Sequence, residues 1–201
     1  MKKILFIALL MNFINCKAQS PIIDLETPGF LPKMQNAYYK DIGNYLEQFA
    51  GTWVYTDGST SFKIVIQKKT MVRVTPKHYE DVLIGEYQYI KDGVEKVNTL
   101  QNLVYGLPNL LEHSIIGNFM CRSKYGNPLC NDCNHNDKKV ANLYFVDPIT
   151  KLDAELYLRY TGNNQMRIFI RQKMILSTPE HPVTNIIMTV PTGEYIMTRQ
   201  Q

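Results

Sequence analysis

The chain has 201 residues, 45% of them hydrophobic and 20% charged, with a formal net charge of +4. That length buries one substantial core, and that composition excludes a disordered or fibrous chain. Of the 22 basic residues, Lys2 and Lys3 stand in a short leader; setting them aside leaves 20 against 18 acidic residues, which excludes a nucleic-acid footprint.

Lys2 and Lys3 precede the apolar run Ile4 to Met11, which is too short to cross a bilayer comfortably. Phe13-Ile14-Asn15-Cys16 follows, and then the polar Lys17-Ala18-Gln19-Ser20. This is the layout of a secretory signal over residues 1–15. It resembles a bacterial lipoprotein signal, in which the cysteine is acylated and becomes the first mature residue. The resemblance implies lipidation of Cys16, with acyl chains holding the protein to a membrane of a Gram-negative cell envelope. Residues 16–32, with Pro21, Pro28, Gly29 and Pro32, read as a tether or surface-hugging arm. Residues 33–201 read as one domain.

Tyr38, Ile42, Tyr45, Leu46 and Phe49 recur at spacings of three and four, and Pro32 and Gly51 flank them. The pattern predicts an amphipathic helix over 33–49 that covers a face or an end of a sheet. After Gly51 the period changes from about 3.6 to 2, as strands require. Strands are predicted at Thr52 to Tyr55, through Phe62, Ile64 and Ile66, and at Val82 to Ile90, with Asp57-Gly58 and Lys91-Asp92-Gly93 as turns. Gly85 inside the third strand suggests a bulge or sharp curvature. Val94 to Leu100 returns as a hairpin partner, residues 101–112 read as irregular, and a strand is predicted at His113 to Phe119. Residues 121–139 read as a turn-rich loop. Further strands are predicted at Ala141 to Val146, Ala154 to Tyr160, Met166 to Arg171, Ile186 to Val190 and Tyr195 to Thr198. The connections are too short for parallel crossovers, so the chain is mainly β, an antiparallel meander.

An N-terminal helix leading into Gly51-Thr52-Trp53 and then a run of hairpins resembles the lipocalin and wider calycin pattern. That implies a β-barrel or strongly coiled sheet, with Trp53 packed between the helix and the first strand. A resemblance covering nearly the whole chain rests on Cys16 to Gln19, Gly51-Thr52-Trp53, Tyr79 to Tyr87, Cys130-Asn131-Asp132-Cys133 and Val190 through Thr198. These are similar to a family of small lipoproteins of flavobacteria and related Bacteroidetes, whose function is unassigned, so the resemblance implies an address and no activity.

Cys121, Cys130 and Cys133, with His135 close behind, are the one cluster with ligand-like spacing. Three thiolates and an imidazole suit a structural zinc. In an oxidising compartment, with Cys16 acylated, the same three cysteines instead form one disulfide, Cys121 with Cys130 or Cys133, and leave one thiol; free thiols are the third reading. His78, Tyr79, Tyr87, Tyr89 and His113 are candidates for a ligand-binding or acid-base rim. Thirteen tyrosines are enough to line an interior for an amphipathic ligand, or an exterior for a partner. No hydrolase, zinc-protease, phosphate-loop or dinucleotide signature is present. The sequence therefore points first to an envelope lipoprotein that binds a small apolar or amphipathic ligand without catalysis. A structural or protein-interaction module of the outer membrane with a packed barrel comes second, and a hydrolase-like enzyme with a rim site third.

Overall fold

The computed structural model describes residues 20–27, 33–121, 127–131, 140–173 and 187–200. The alternating runs form β3 (Gly51–Asp57), β4 (Thr60–Thr75), β5 (His78–Lys91), β6 (Val94–Asn98), β7 (Ile115–Cys121), β8 (Val140–Val146), β9 (Asp153–Gly162), β10 (Gln165–Gln172) and β11 (Gly193–Gln200). Two short strands, β1 (Ile22–Asp24) and β2 (Tyr38–Lys40), precede them. Leaving β6 aside, each strand from β3 to β11 pairs antiparallel with the next, and β11 returns to pair with β3 through Val54, Trp53 and Thr52. The result is a closed, eight-stranded, up-and-down antiparallel barrel, as the meander predicts.

β5 is the longest-serving partner in this ring. One side pairs with β4 throughout, and the other meets β2 at Tyr79 and Glu80, β7 at Leu83 to Gly85 and β6 at Gln88 to Lys91. Gly85 lies between Ile66 and Ile115 in regular register, so it is not a bulge. A Cβ there would come within 2.9 Å of the Val65 carbonyl, so close backbone approach explains the glycine. Register shifts fall instead in β4, between Lys69 and Thr75, in β7, between Ile116 and Phe119, where β5 meets β6, between Tyr89 and Ile90, and where β10 meets β9, between Gln165 and Met166.

Alternation puts Trp53, Phe62, Ile64, Leu83, Tyr87 and Tyr89 inside, where Leu143, Phe145, Leu156, Leu158, Met166, Ile168 and Met197 meet them in one core. Phe62 stands edge-on to Tyr87, Tyr89 and Tyr195, and Tyr87 stacks on Phe145 at 4.8 Å. One end of the barrel is filled by Leu46 and Phe49, the other by Leu152, Met188 and Val190.

The helix predicted over 33–49 does not form. Tyr38 to Lys40 is a strand, and only Glu47–Phe49 makes a single 3₁₀ turn. Asn36 and Asn44 adopt left-handed backbone angles, and the Asp41 carboxylate takes the amide protons of Tyr45 and Leu46 that a helix would hold within its ladder. Tyr38, Leu46 and Phe49 are buried as the stripe implies, but Ile42 is 59% exposed. The other departures are smaller. Gln101–Tyr105 forms a short helix, α1, and Leu110–Glu112 a 3₁₀ turn, within the segment read as irregular. Residues 187–190 are a plug rather than a strand, and Ile186 lies outside the described residues.

Candidate functional site

The barrel's closure is locked around Trp53. Its indole Nε1 donates to the Phe49 carbonyl at 2.8 Å, and the Tyr160 ring meets it edge-on at 6.1 Å. Arg199, paired with Trp53 across β11 and β3, lays its guanidinium 4.5 Å from the indole centre and donates from Nη2 to the Gln48 carbonyl at 2.9 Å. First strand, last strand and 3₁₀ turn are thus tied by one aromatic ring and one cation. Arg199 has no sequence signal beyond a polar position in an alternating strand.

Beside this lock, the start of β5 carries a buried carboxylate network. Asp81, almost fully buried, accepts from the Tyr38 hydroxyl, from the Asp41 amide at 3.0 Å and from the Met71 amide at 2.9 Å. Burial, with the Asp81 carboxylate against it, pushes the Tyr38 hydroxyl up to about 12. Asp41 in turn takes Lys68 Nζ at 2.8 Å. Glu80 accepts from Lys33 at 2.6 Å and Asn118 at 2.8 Å, and pairs with His78 Nε2 at 3.0 Å. Burial alone would raise the Glu80 carboxyl, but these partners hold it below its ordinary value. Charges this well matched fix residues 33–46 and β2 to the barrel.

The five rim candidates do not converge. Tyr87 and Tyr89 face inward, and Tyr79 lies under the Arg73 guanidinium at 5.2 Å. His78 belongs to the Glu80 pair. His113 is buried on the outer wall, where its Nδ1 lies 2.8 Å from Glu86 Oε1; Glu86 is fully buried and its Oε2 has no partner among the described residues. Glu86, a charge in the middle of an apolar strand, was the one sequence signal for this pair. Of the packing candidates, Trp53 and Phe49 are in the core, Tyr45 packs against it, Tyr38 is buried through Asp81, and Ile42 takes no part.

Cys121 and Cys130 share a small cluster with Leu129 and Tyr157. Cys121 is a buried free thiol, so the expected bond from Cys121 to Cys130 or Cys133 is not formed. Burial pushes its thiol up to about 11, which leaves it a poor nucleophile. Cys130 is disulfide-bonded. Cys16, Cys133 and His135 lie outside the described residues. Among the described residues, no three His, Cys, Asp or Glu side chains are grouped to hold a metal ion.

At the opposite end, buried Asp147 accepts from the Thr189 amide and hydroxyl and from the amides of Ile149 at 2.9 Å and Thr150 at 3.3 Å, which pins the 187–190 plug. Burial opposes ionisation, but these bonds outweigh it and lower the Asp147 carboxyl from its ordinary value. The ionised form is therefore favoured by folding: the stability it contributes is present above the unfolded-chain value of about 3.9 and is lost as pH falls through the folded-state value. Asp147→Asn is expected to lower the urea midpoint at pH 7 and to flatten its decline below about pH 4, measured by circular dichroism across pH.

Fold and lock together define a closed, eight-stranded, lipocalin-like β-barrel with a tryptophan-sealed end. The chain belongs to the family of unknown function DUF6705, whose profile matches residues 1–200. No curated protein and no solved structure matches it.

Proposed function

We propose that this protein is a lipid-anchored, non-catalytic interaction module of the cell envelope, in a Gram-negative bacterium of the Bacteroidetes type, and that its barrel is a rigid support for surfaces displayed outside it. The observation that carries this reading is the interior. Trp53, Phe62, Ile64, Leu83, Phe145 and Leu156 have no accessible surface at all. A chamber for an apolar or amphipathic ligand, about 300 Å³ or more, leaves accessible surface on the side chains that line it even when it is sealed from solvent. An eight-stranded barrel is just narrow enough for side chains to fill it, and here aromatic rings do so. Outside, Val104, Tyr105 and Leu111 stand exposed on the connection from β6 to β7, where a partner would find apolar area.

A second reading, binding of a small amphipathic molecule, is favoured by a hollow of about 380 Å³ on the barrel's outside, lined by Phe169 to Gln172, Thr192 and Gly193. Native mass spectrometry of the protein extracted from envelopes separates the two. The module reading expects a chain beginning at Cys16, carrying its acyl groups and no stoichiometric small molecule. A tightly retained apolar molecule would overturn it in favour of the second reading.

A further inference from the structure

We propose that the end of the barrel carrying β1, β2 and the projecting β4–β5 hairpin is a second membrane contact, seated against an anionic lipid surface. This rests on the lipid-anchor reading above and adds to it an orientation and a docking face.

The tether is short. Six chain steps separate Cys16 from Ile22, the first residue of β1, so even a fully extended chain reaches roughly 20 Å. β1 is also not free to swing. Its Leu25 amide donates to the Lys40 carbonyl at 2.7 Å, and the Pro21 carbonyl accepts from the Tyr38 amide at 2.9 Å. β2 is fastened to the hairpin by Tyr79 N to Ala37 O at 2.9 Å and Asn36 N to Lys77 O at 2.6 Å. The buried Asp81, Asp41 and Glu80 network then fixes this wing to the barrel wall. An acyl group on Cys16 therefore brings this end, and not the end plugged by residues 187–190, to the lipid.

The wing has the surface such a position calls for. Lys40, Arg73 and Lys77 are exposed and Lys69 is partly so, while of the carboxylates Glu26, Asp41, Glu80 and Asp81 are buried and Asp24 is part-exposed. Among the cations, Ile22, Met34 and Met71 are each more than half exposed. Basic side chains gain from the potential of anionic headgroups, and apolar side chains between them enter the boundary with the acyl chains. Asp24 of β1 stays part-exposed, and the exposed Lys40, Arg73 and Lys77 outnumber it on the wing's outer surface.

The test uses the full acylated protein, reconstituted into phosphatidylethanolamine and phosphatidylglycerol vesicles with or without brominated acyl chains. A tryptophan is introduced by Met34→Trp or Ile22→Trp on the wing, or by Ile149→Trp at the far end, and the buried Trp53 signal of the parent is subtracted. Loss of the introduced emission in brominated vesicles is expected for both wing variants and not for Ile149→Trp. Exchanging phosphatidylglycerol for phosphatidylcholine is expected to shrink that loss. With an intact mass showing acylated Cys16, wing variants quenched no more than Ile149→Trp overturn the docking face while leaving the anchor standing. A wing emission that is blue-shifted but unquenched overturns it in favour of contact between copies of this chain. An intact mass without acyl groups overturns the anchor reading itself, and the docking face with it.

Discussion

Trp53→Ala is expected to cost about 3–5 kcal/mol of folding stability, the range for removing a fully buried large aromatic side chain. The indole is completely buried, and three separate elements lean on it. Removing it leaves a cavity at the barrel's end, strands the Phe49 carbonyl that Nε1 now satisfies, and deprives Arg199 of the ring face it covers. The 3₁₀ turn has only three residues and no side-chain cap, so it has little structure of its own to fall back on. β11 meets β3 through only three residue pairs, and Trp53 with Arg199 is the middle one. Urea unfolding followed by far-ultraviolet circular dichroism measures the loss without relying on the fluorescence of the residue removed. Trp53→Phe is expected to lose less, since it keeps most of the apolar volume and forfeits the hydrogen bond. A Trp53→Ala midpoint within 1 kcal/mol of the parent, on the order of a surface substitution, would show that barrel closure does not depend on this ring.

Much of the barrel is legible in the sequence because its signal is local. Phe62, Ile64 and Ile66, or Met166, Ile168 and Ile170, alternate within single strands, and turn pairs such as Asp57-Gly58 separate the strands. Closure is legible only by analogy, through Gly51-Thr52-Trp53, because nothing local announces that Thr52 to Val54 will pair with residues about 145 positions later. The helix over 33–49 fails for a complementary reason. Its apolar residues are correctly spaced, but the Asp41 carboxylate offers the backbone competing hydrogen bonds whose worth depends on Asp81 and Lys68 being near, and those lie 40 and 27 residues away from Asp41. A period read over seventeen residues contains no such term. The carboxylate network is hidden for the same reason: Asp41, Glu80 and Asp81 look like ordinary surface charges until β2, β4 and β5 are laid side by side. The interior tyrosines show the remaining limit. Alternation puts Tyr87 and Tyr89 on one face with Leu83, but which face is inward depends on the barrel's curvature.

The Glu86 and His113 pair carries the other large expected effect, and its size depends on which group is removed. Both side chains are taken out of water on the outer wall of β5, where Glu86 Oε1 meets His113 Nδ1 at 2.8 Å and the Ser114 amide at 3.3 Å. Glu86 Oε2 has no partner among the described residues, so the carboxyl depends heavily on His113. His113→Leu removes the imidazole and leaves the acid buried with only a long amide contact. Breaking a buried pair in this way costs about 3–5 kcal/mol. Glu86→Leu leaves instead a buried imidazole and no buried carboxyl, and is expected to cost less. The double replacement takes away both desolvation penalties and sets leucines near Val82, Ile84 and Ile116, an apolar cluster on the same wall that Leu103 and Leu110 already cover. Its stability is expected to return to within about 1 kcal/mol of the parent or to exceed it, because well-packed apolar residues commonly match or surpass a buried polar pair. Urea midpoints of the four proteins form a double-mutant cycle, and the single costs should sum to far more than the double. An additive cycle would mean that the two side chains do not act on one another and that the unpartnered oxygen is satisfied by another route.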